Sequence, residues 1–130
     1  MNKAVVLIVD DDPEARSMIS EFLGARFDCD FKEAGDGEEA VRFVKSNPCD
    51  IMFLDVKLPK KNGTTVMKEA KEINPRVDII VVTAYSSDEV ADESLKRGAS
   101  DYVIKPIDMN ALTLKFGNIL KKRGQKISKI

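Results

Sequence analysis

Four acidic residues stand where apolar stretches of the chain end. Asp10, Asp11 and Asp12 follow the run AVVLIV, and Asp55 closes the run IMFLD. Asp12 before Pro13 is a helix start signal, because an aspartate cap accepts hydrogen bonds from free amides and proline at the first helical position loses none. This accounts for Asp12 and leaves the other three carboxylates to be explained.

Carboxylates held close together need a cation. Two of them about 5 Å apart repel by on the order of 3 kcal/mol at an effective dielectric near 20. A few carboxylates, a carbonyl and waters suit Mg²⁺, or Mn²⁺ in its place, and such an ion commonly shares its shell with phosphate oxygens. Thr83 and Lys105 end two later apolar runs and would add a hydroxyl and an ammonium. Alone, Thr83 is an ordinary strand residue and Lys105 a solvated charge, but the whole set favours phosphate chemistry.

Alternating strand and helix patterns would bring these residues together. The predicted strands are 4–10, 29–34, 50–55, 78–84 and 101–105. The predicted helices are 13–24, 38–45, 64–73, 88–97 and 108–123. Strict alternation favours a flavodoxin-like, doubly wound α/β sandwich of three layers, (βα)5, with a parallel sheet in the order 2-1-3-4-5 and the second strand at an edge. Strands 1 and 3 are neighbours in that order, so Asp10, Asp11 and Asp55 are expected to meet at the carboxyl edge.

Length and composition narrow the function classes. The 130 residues suit one domain, and 21 basic against 22 acidic residues give a net charge of −1, which favours neither nucleic acid nor membrane as a partner. Absence of histidine excludes Ser/His and Cys/His catalysis and a phosphohistidine within this chain. Cys29 and Cys49, without CxxC spacing, are interpreted as reduced, buried thiols of a cytoplasmic protein. The first apolar run is too short for a signal peptide or a membrane span.

The motifs VDDD, LDVKLPKKNG, TAY and GASDYVIKP follow one another in order along the chain. Together they resemble the receiver domains of two-component response regulators, over residues from about 4 to 123. The resemblance implies a receiver domain at 1–123 and a basic tail or linker start at 124–130. It implies a signalling switch rather than an enzyme, either a monomer or a dimer formed on phosphorylation. The phosphoryl donor would be a sensor histidine kinase or a histidine phosphotransfer protein, and the downstream effector is not identified by the sequence.

The resemblance also implies the metal site. Asp55 would be the phosphoacceptor, and Asp10 and Asp11 would hold Mg²⁺ with it. The backbone carbonyl of Lys57 would add a ligand.

Further roles concern the phosphoryl group and the switch. Thr83 would hydrogen-bond a phosphoryl oxygen, Lys105 would pair with it, and Tyr102 would be the aromatic switch residue. The surface of the last two helices and the fifth strand would change on phosphorylation. The Lys105-Pro106 bond matches one that is typically cis in the family.

The resemblance implies that two further positions flank the phosphoryl group and influence its lifetime. Lys57 lies two residues after the phosphoacceptor, and Tyr85 two residues after Thr83. A bulky Tyr85 would obstruct in-line attack by water, and a protonated Lys57 cannot act as a base. The sequence therefore predicts slow self-dephosphorylation.

Three alternatives compete with a phosphoacceptor switch. A haloacid-dehalogenase-like phosphatase would place a second Asp two residues after its nucleophile, where this chain has Lys57. A flavodoxin-like or nucleotide-binding module would want a glycine-rich phosphate loop after the first strand, where this chain has three aspartates. A degenerate receiver serving only as a scaffold would have lost members of the chemical set, which is complete here.

Overall fold

The computed structural model describes residues 3–84 and 96–127. One parallel sheet has the strand order β2-β1-β3-β4-β5. Its strands are β1 (Val5–Val9), β2 (Asp30–Ala34), β3 (Ile51–Asp55), β4 (Asp78–Thr83) and β5 (Asp101–Ile104). The predicted fold and strand order are confirmed, with β2 at an edge.

Four helices lie in the described part of the chain. They are α1 (Pro13–Gly24), α2 (Gly37–Ser46), α3 (Gly63–Ile73) and the C-terminal helix (Met109–Arg123). Most of the predicted helix 88–97 falls outside the described residues. Elsewhere the predicted ends differ from the observed ones by at most one residue. For example, Asp108 caps the C-terminal helix instead of starting it.

Short polar side chains fix where the helices begin. Asp12 accepts a hydrogen bond from the Glu14 amide, as predicted, and Asp36 accepts one from the Glu39 amide. Each satisfies an amide that has no partner within its helix. At its other end the C-terminal helix stops at Gly124, whose φ of 68° lies in the left-handed region that favours glycine.

Two hydrophobic clusters cover the two faces of the sheet. Leu7, Leu54 and their neighbours pack under α2 and α3. Phe53 and its neighbours pack under α1 and the C-terminal helix, where its ring lies 5.6 Å from the ring of Phe116. Burial on both faces explains why the central strands are apolar throughout. Cys49 is buried as predicted, whereas Cys29 is only partly buried.

Arg123 joins several segments at the amino edge of the sheet, opposite the predicted site. Its guanidinium donates to Asp50 at 3.1 Å and to Asp78 at 2.7 Å, in the residues that precede β3 and begin β4. The other Asp50 oxygen accepts from the Val5 amide at 2.8 Å. These contacts tie the C-terminal helix to three central strands.

The predicted tail is partly held against the domain. Lys126 lies 2.6 Å from Asp28, and the Asp28 amide donates to the Ile127 carbonyl at 3.3 Å. Gln125 accepts from Arg123 at 2.8 Å. Residues 125–127 therefore belong to the folded unit, and 128–130 lie outside the described residues.

Candidate functional site

Three carboxylates meet at the carboxyl edge of the sheet. Asp10 and Asp11 follow β1, and Asp55 ends the neighbouring β3. One oxygen from each lies within 4.8 Å of the others. Asp10 is 4% exposed and Asp55 8%, whereas Asp11 is exposed. The structure thus brings Asp10, Asp11 and Asp55 together, as expected from the strand order.

Lys105 bridges the two buried carboxylates. Its Nζ lies 3.2 Å from Asp10 Oδ2 and 3.2 Å from Asp55 Oδ2. Burial lowers the pKa of Lys105, but hydrogen bonds and charge attraction from Asp55 and Asp10 outweigh it, and the net pKa is raised. The lysine is therefore a cation at neutral pH, and it offsets part of the repulsion between the carboxylates.

Backbone amides hold the remaining oxygen of each buried carboxylate. The Asp12 amide donates to Asp10 Oδ1 at 2.9 Å, and the Lys57 amide donates to Asp55 Oδ1 at 3.1 Å. Each carboxylate is thus fixed at both oxygens by the loop that follows its own strand and by Lys105. This arrangement orients the carboxylates in advance of any ligand.

Thr83 and Tyr102 lie on one face of adjacent strands. Thr83 ends β4, is 2% exposed, and accepts the Lys105 amide through its carbonyl at 2.7 Å. Tyr102 pairs with Val81 in the ladder, two pairs before Thr83 and Ile104. Because side chains alternate along a strand, Thr83 and Tyr102 point to the same face, where Tyr102 packs against the core under α2 and α3.

The other predicted positions have different outcomes. Lys57 is exposed in the loop after β3, and Tyr85 falls outside the described residues. The Lys105-Pro106 peptide bond is cis, as the resemblance implies.

Two further residues at the site were not predicted from the sequence. Gly63 begins α3 so close to β3 that a Cβ there would lie 2.7 Å from the Asp55 carbonyl oxygen. Arg16 donates from Nη1 to the Asp10 carbonyl at 2.6 Å. The dipeptide Asn62-Gly63 is a turn signal that hinted at the first, whereas no local pattern distinguishes Arg16 from other helix-surface arginines.

The residues at this edge of the sheet are of types that suit a divalent cation and a phosphate group. Three carboxylates offer hard oxygen ligands suited to Mg²⁺. An ammonium such as that of Lys105 and a hydroxyl such as that of Thr83 can donate hydrogen bonds to phosphate oxygens. No helix among residues 3–84 and 96–127 has the length and apolar character required to cross a bilayer.

Comparison with known proteins places this chemistry in a family. The model of the response regulator receiver domain matches residues 6–116. The transcriptional regulatory protein ZraR of Escherichia coli is 36% identical over 107 residues, which are 82% of this chain and 24% of ZraR. The response regulator protein PilR of Pseudomonas aeruginosa is 31% identical over 124 residues, 95% of this chain and 28% of PilR.

A solved structure agrees with the sequence relatives. The receiver domain of the Francisella response regulator 1452 superposes with a TM-score of 0.86 at 27% identity, covering 93% of this chain and 99% of that one. The chain spans about a quarter of the length of the two curated relatives above. With the fold, the edge carboxylates and the family match in agreement, the chain belongs to the response regulator receiver domains of two-component systems.

Proposed function

We propose that this receiver accepts a phosphoryl group on Asp55 with the help of Mg²⁺ and thereby switches a binding surface. The observation that carries the proposal is the environment of Asp55: a buried carboxylate at a strand end, fixed by an amide and by Lys105, beside Asp10 and Asp11. Because the chain contains no histidine, a phosphohistidine donor is on another protein, a sensor histidine kinase or a phosphotransfer protein.

The carboxylates fit a divalent metal ion. Asp10, Asp11 and Asp55, with the backbone carbonyl of Lys57, would hold Mg²⁺. When bound, Mg²⁺ supplies positive charge for the carboxylates and for the phosphoryl oxygens. The donor set contains only hard oxygen atoms, which is the preference of this ion and, with the same residues, of Mn²⁺.

Transfer forms an acyl phosphate on Asp55. A carboxylate oxygen attacks phosphorus while the bond from phosphorus to the histidine nitrogen breaks, and the imidazole leaves. Negative charge is spread over the three equatorial oxygens in the transition state. Lys105, already hydrogen-bonded to Asp55, is placed to pair with one of these oxygens, and the Thr83 hydroxyl would donate to another.

The change in charge at Asp55 would then alter the structure of a nearby surface. Phosphorylation replaces a carboxylate by a dianion, and Thr83 would move towards it. Tyr102, on the same sheet face two pairs away, would turn into the space released. The surface of β5, the C-terminal helix and the predicted helix 88–97 would change for a downstream effector. We further infer a switch rather than an enzyme, acting in the cytoplasm where the kinase presents its phosphohistidine.

Labelling with a small phosphodonor tests the acceptor. With acetyl phosphate and Mg²⁺, the mass should rise by one phosphoryl group that is stable in acid and lost in base. Asp55→Asn should abolish the increase, and EDTA should prevent it in the wild type. Asp12→Asn is the matched control, because it removes a neighbouring exposed carboxylate while asparagine still caps α1. Equal labelling of Asp55→Asn, or full labelling in EDTA, contradicts the proposal.

Amide shifts test the switch. Phosphorylation should move amide resonances in β5 and the C-terminal helix as well as around Asp55. Replacing Tyr102 with alanine should remove the distant shifts and leave labelling intact. Shifts confined to the pocket in the wild type would refute the coupling.

A further inference from the structure

Asp10 is held at every polar atom it has. Its amide donates to the Ala34 carbonyl at 3.2 Å, and its carbonyl accepts from Arg16 at 2.6 Å. Its carboxylate accepts from the Asp12 amide at 2.9 Å and from Lys105 at 3.2 Å. The residue is 4% exposed. Two of these four partners are side chains. Lys105 contacts the carboxylate, which is the proposed metal ligand, whereas Arg16 contacts the backbone carbonyl.

Arg16 connects three segments near the site. It lies in the first turns of α1, where its amide donates to the Asp12 carbonyl at 3.1 Å. Its Nη1 meets the Asp10 carbonyl at the end of β1, and its Nε meets Glu33 Oε1 on β2 at 3.0 Å. The side chain is 18% exposed. The guanidinium makes these two bonds from different nitrogens held in one rigid plane, whereas a lysine would have to make both from a single nitrogen.

The glycine beside Arg16 leaves room for this arrangement. A Cβ on Gly35 would lie 3.4 Å from Arg16 Nη1, a tight contact. The Gly35 amide is occupied by Glu39 at 3.0 Å. The guanidinium is therefore enclosed between the end of β1 and the turn that follows β2.

We propose that Arg16 is a positioning residue, which fixes the backbone at Asp10 and so sets its carboxylate for Mg²⁺. The inference rests on the proposed metal site at Asp10, Asp11 and Asp55. Position and charge predict opposite effects of removing Arg16. A guanidinium repels a nearby metal ion, so loss of its charge alone would tighten binding, whereas loss of its two hydrogen bonds would loosen Asp10 and weaken binding.

A titration with Mg²⁺ alone separates the two effects. Dissociation constants would be read from the amide shifts of Asp12 and Lys57, which contact the two buried carboxylates. Arg16→Gln and Arg16→Lys should both raise the dissociation constant about tenfold, as typically found when a residue supporting a metal ligand is lost. Lysine keeps the charge but should still weaken binding, because its single nitrogen cannot occupy the positions of both Nη1 and Nε. Glu33→Ala should weaken binding less, since the bond to the Asp10 carbonyl remains.

Arg26→Gln is the matched control. Arg26 also donates to a backbone carbonyl, that of Phe22 at 3.0 Å, but it follows the far end of α1. A helix of 12 residues is about 18 Å long, so the site should not respond. Its dissociation constant should equal that of the wild type.

The outcomes are distinct. Equal or tighter binding in folded Arg16→Gln, or wild-type affinity in Arg16→Lys, overturns the positioning role. If Arg16→Gln does not fold, an unchanged dissociation constant in Glu33→Ala overturns it instead. If the wild type shows no saturable binding, the proposed metal site itself fails, and the inference falls with it.

Discussion

Asp11 is the exposed member of the three clustered carboxylates. Its charge lies within 4.8 Å of two others, and one such pair costs about 1 kcal/mol even at the dielectric of water. Without metal, Asp11→Asn should therefore raise the free energy of unfolding by about 1 kcal/mol, measured by urea denaturation in EDTA. Added Mg²⁺ should stabilise the wild type more than the variant, because bound metal favours the folded state.

The control for this prediction is Asp12→Asn, which keeps the helix cap and lies outside the clustered carboxylates. Its stability should respond to Mg²⁺ as the wild type does. A less stable Asp11→Asn in EDTA would mean that the cluster is not under repulsion.

Lys57 and Tyr85 are predicted to slow the loss of the phosphoryl group. Lys57 is exposed next to Asp55, and Tyr85 is considered from its sequence position alone. In a Lys57→Asn, Tyr85→Glu variant, decay of the phosphoprotein after donor removal should be faster than in the wild type. An unchanged or slower decay would show that these side chains do not shield the phosphoryl group from water.

Single residues were predictable where they end an apolar run. Asp10 and Asp55 are conspicuous because a charge closes a buried strand, and the strand order then places them together. Arg16 and Gly63 were missed because their roles depend on contacts with the Asp10 and Asp55 backbone; the turn signal Asn62-Gly63 does not reveal this contact, and no local pattern marks Arg16.

At the scale of elements, the loop between β3 and α3 depends on close contact with the start of α2. A Cβ on Gly37 would overlap the Lys61 carbonyl oxygen, so Gly37→Ala must displace the loop. We expect a loss of about 2 kcal/mol of unfolding free energy, within the usual cost of overpacking, measured by urea denaturation.

Gly117→Ala is the matched control. Gly117 lies inside the C-terminal helix, and its Cβ would meet the Phe27 ring at an ordinary 3.6 Å. Helix propensity then predicts a gain of up to about 1 kcal/mol. Equal effects of the two substitutions would show that the contact at Gly37 relaxes without cost.

Element boundaries were predictable to within a residue because capping side chains mark them. The conformation of the loop was not, since Lys60 adopts a φ of 67°, which its residue type does not favour. The contacts of the tail were not predictable for a related reason. Its basic composition suggests a solvated end, whereas the acidic partner of Lys126 is Asp28, almost a hundred residues earlier.

At the scale of the whole molecule, we expect Arg123 to contribute more to the free energy of unfolding than the neighbouring basic residues do. Its side chain is 19% exposed and joins Asp50 and Asp78. Arg123→Met should lower the free energy of unfolding by about 3 kcal/mol, because it leaves two partly buried carboxylates without their shared cation. Thermal and urea unfolding would measure this, with Lys122→Met, at an exposed position, as the control. Similar losses in both variants would contradict the role given to Arg123.

Asp28 also brings the two ends of the described chain to one place. It pairs with Lys3 at 3.6 Å and with Lys126 at 2.6 Å, at the edge of the sheet opposite Asp55. Because these two ends lie close together, they can be joined by a linker and the chain can be opened at another position. A circular permutant joined by a short glycine-serine linker and opened at the exposed Asn47-Pro48 bond should fold and still be labelled on Asp55 by acetyl phosphate. A folded permutant without labelling would show that the order of segments, and not only their arrangement in space, is needed for the chemistry.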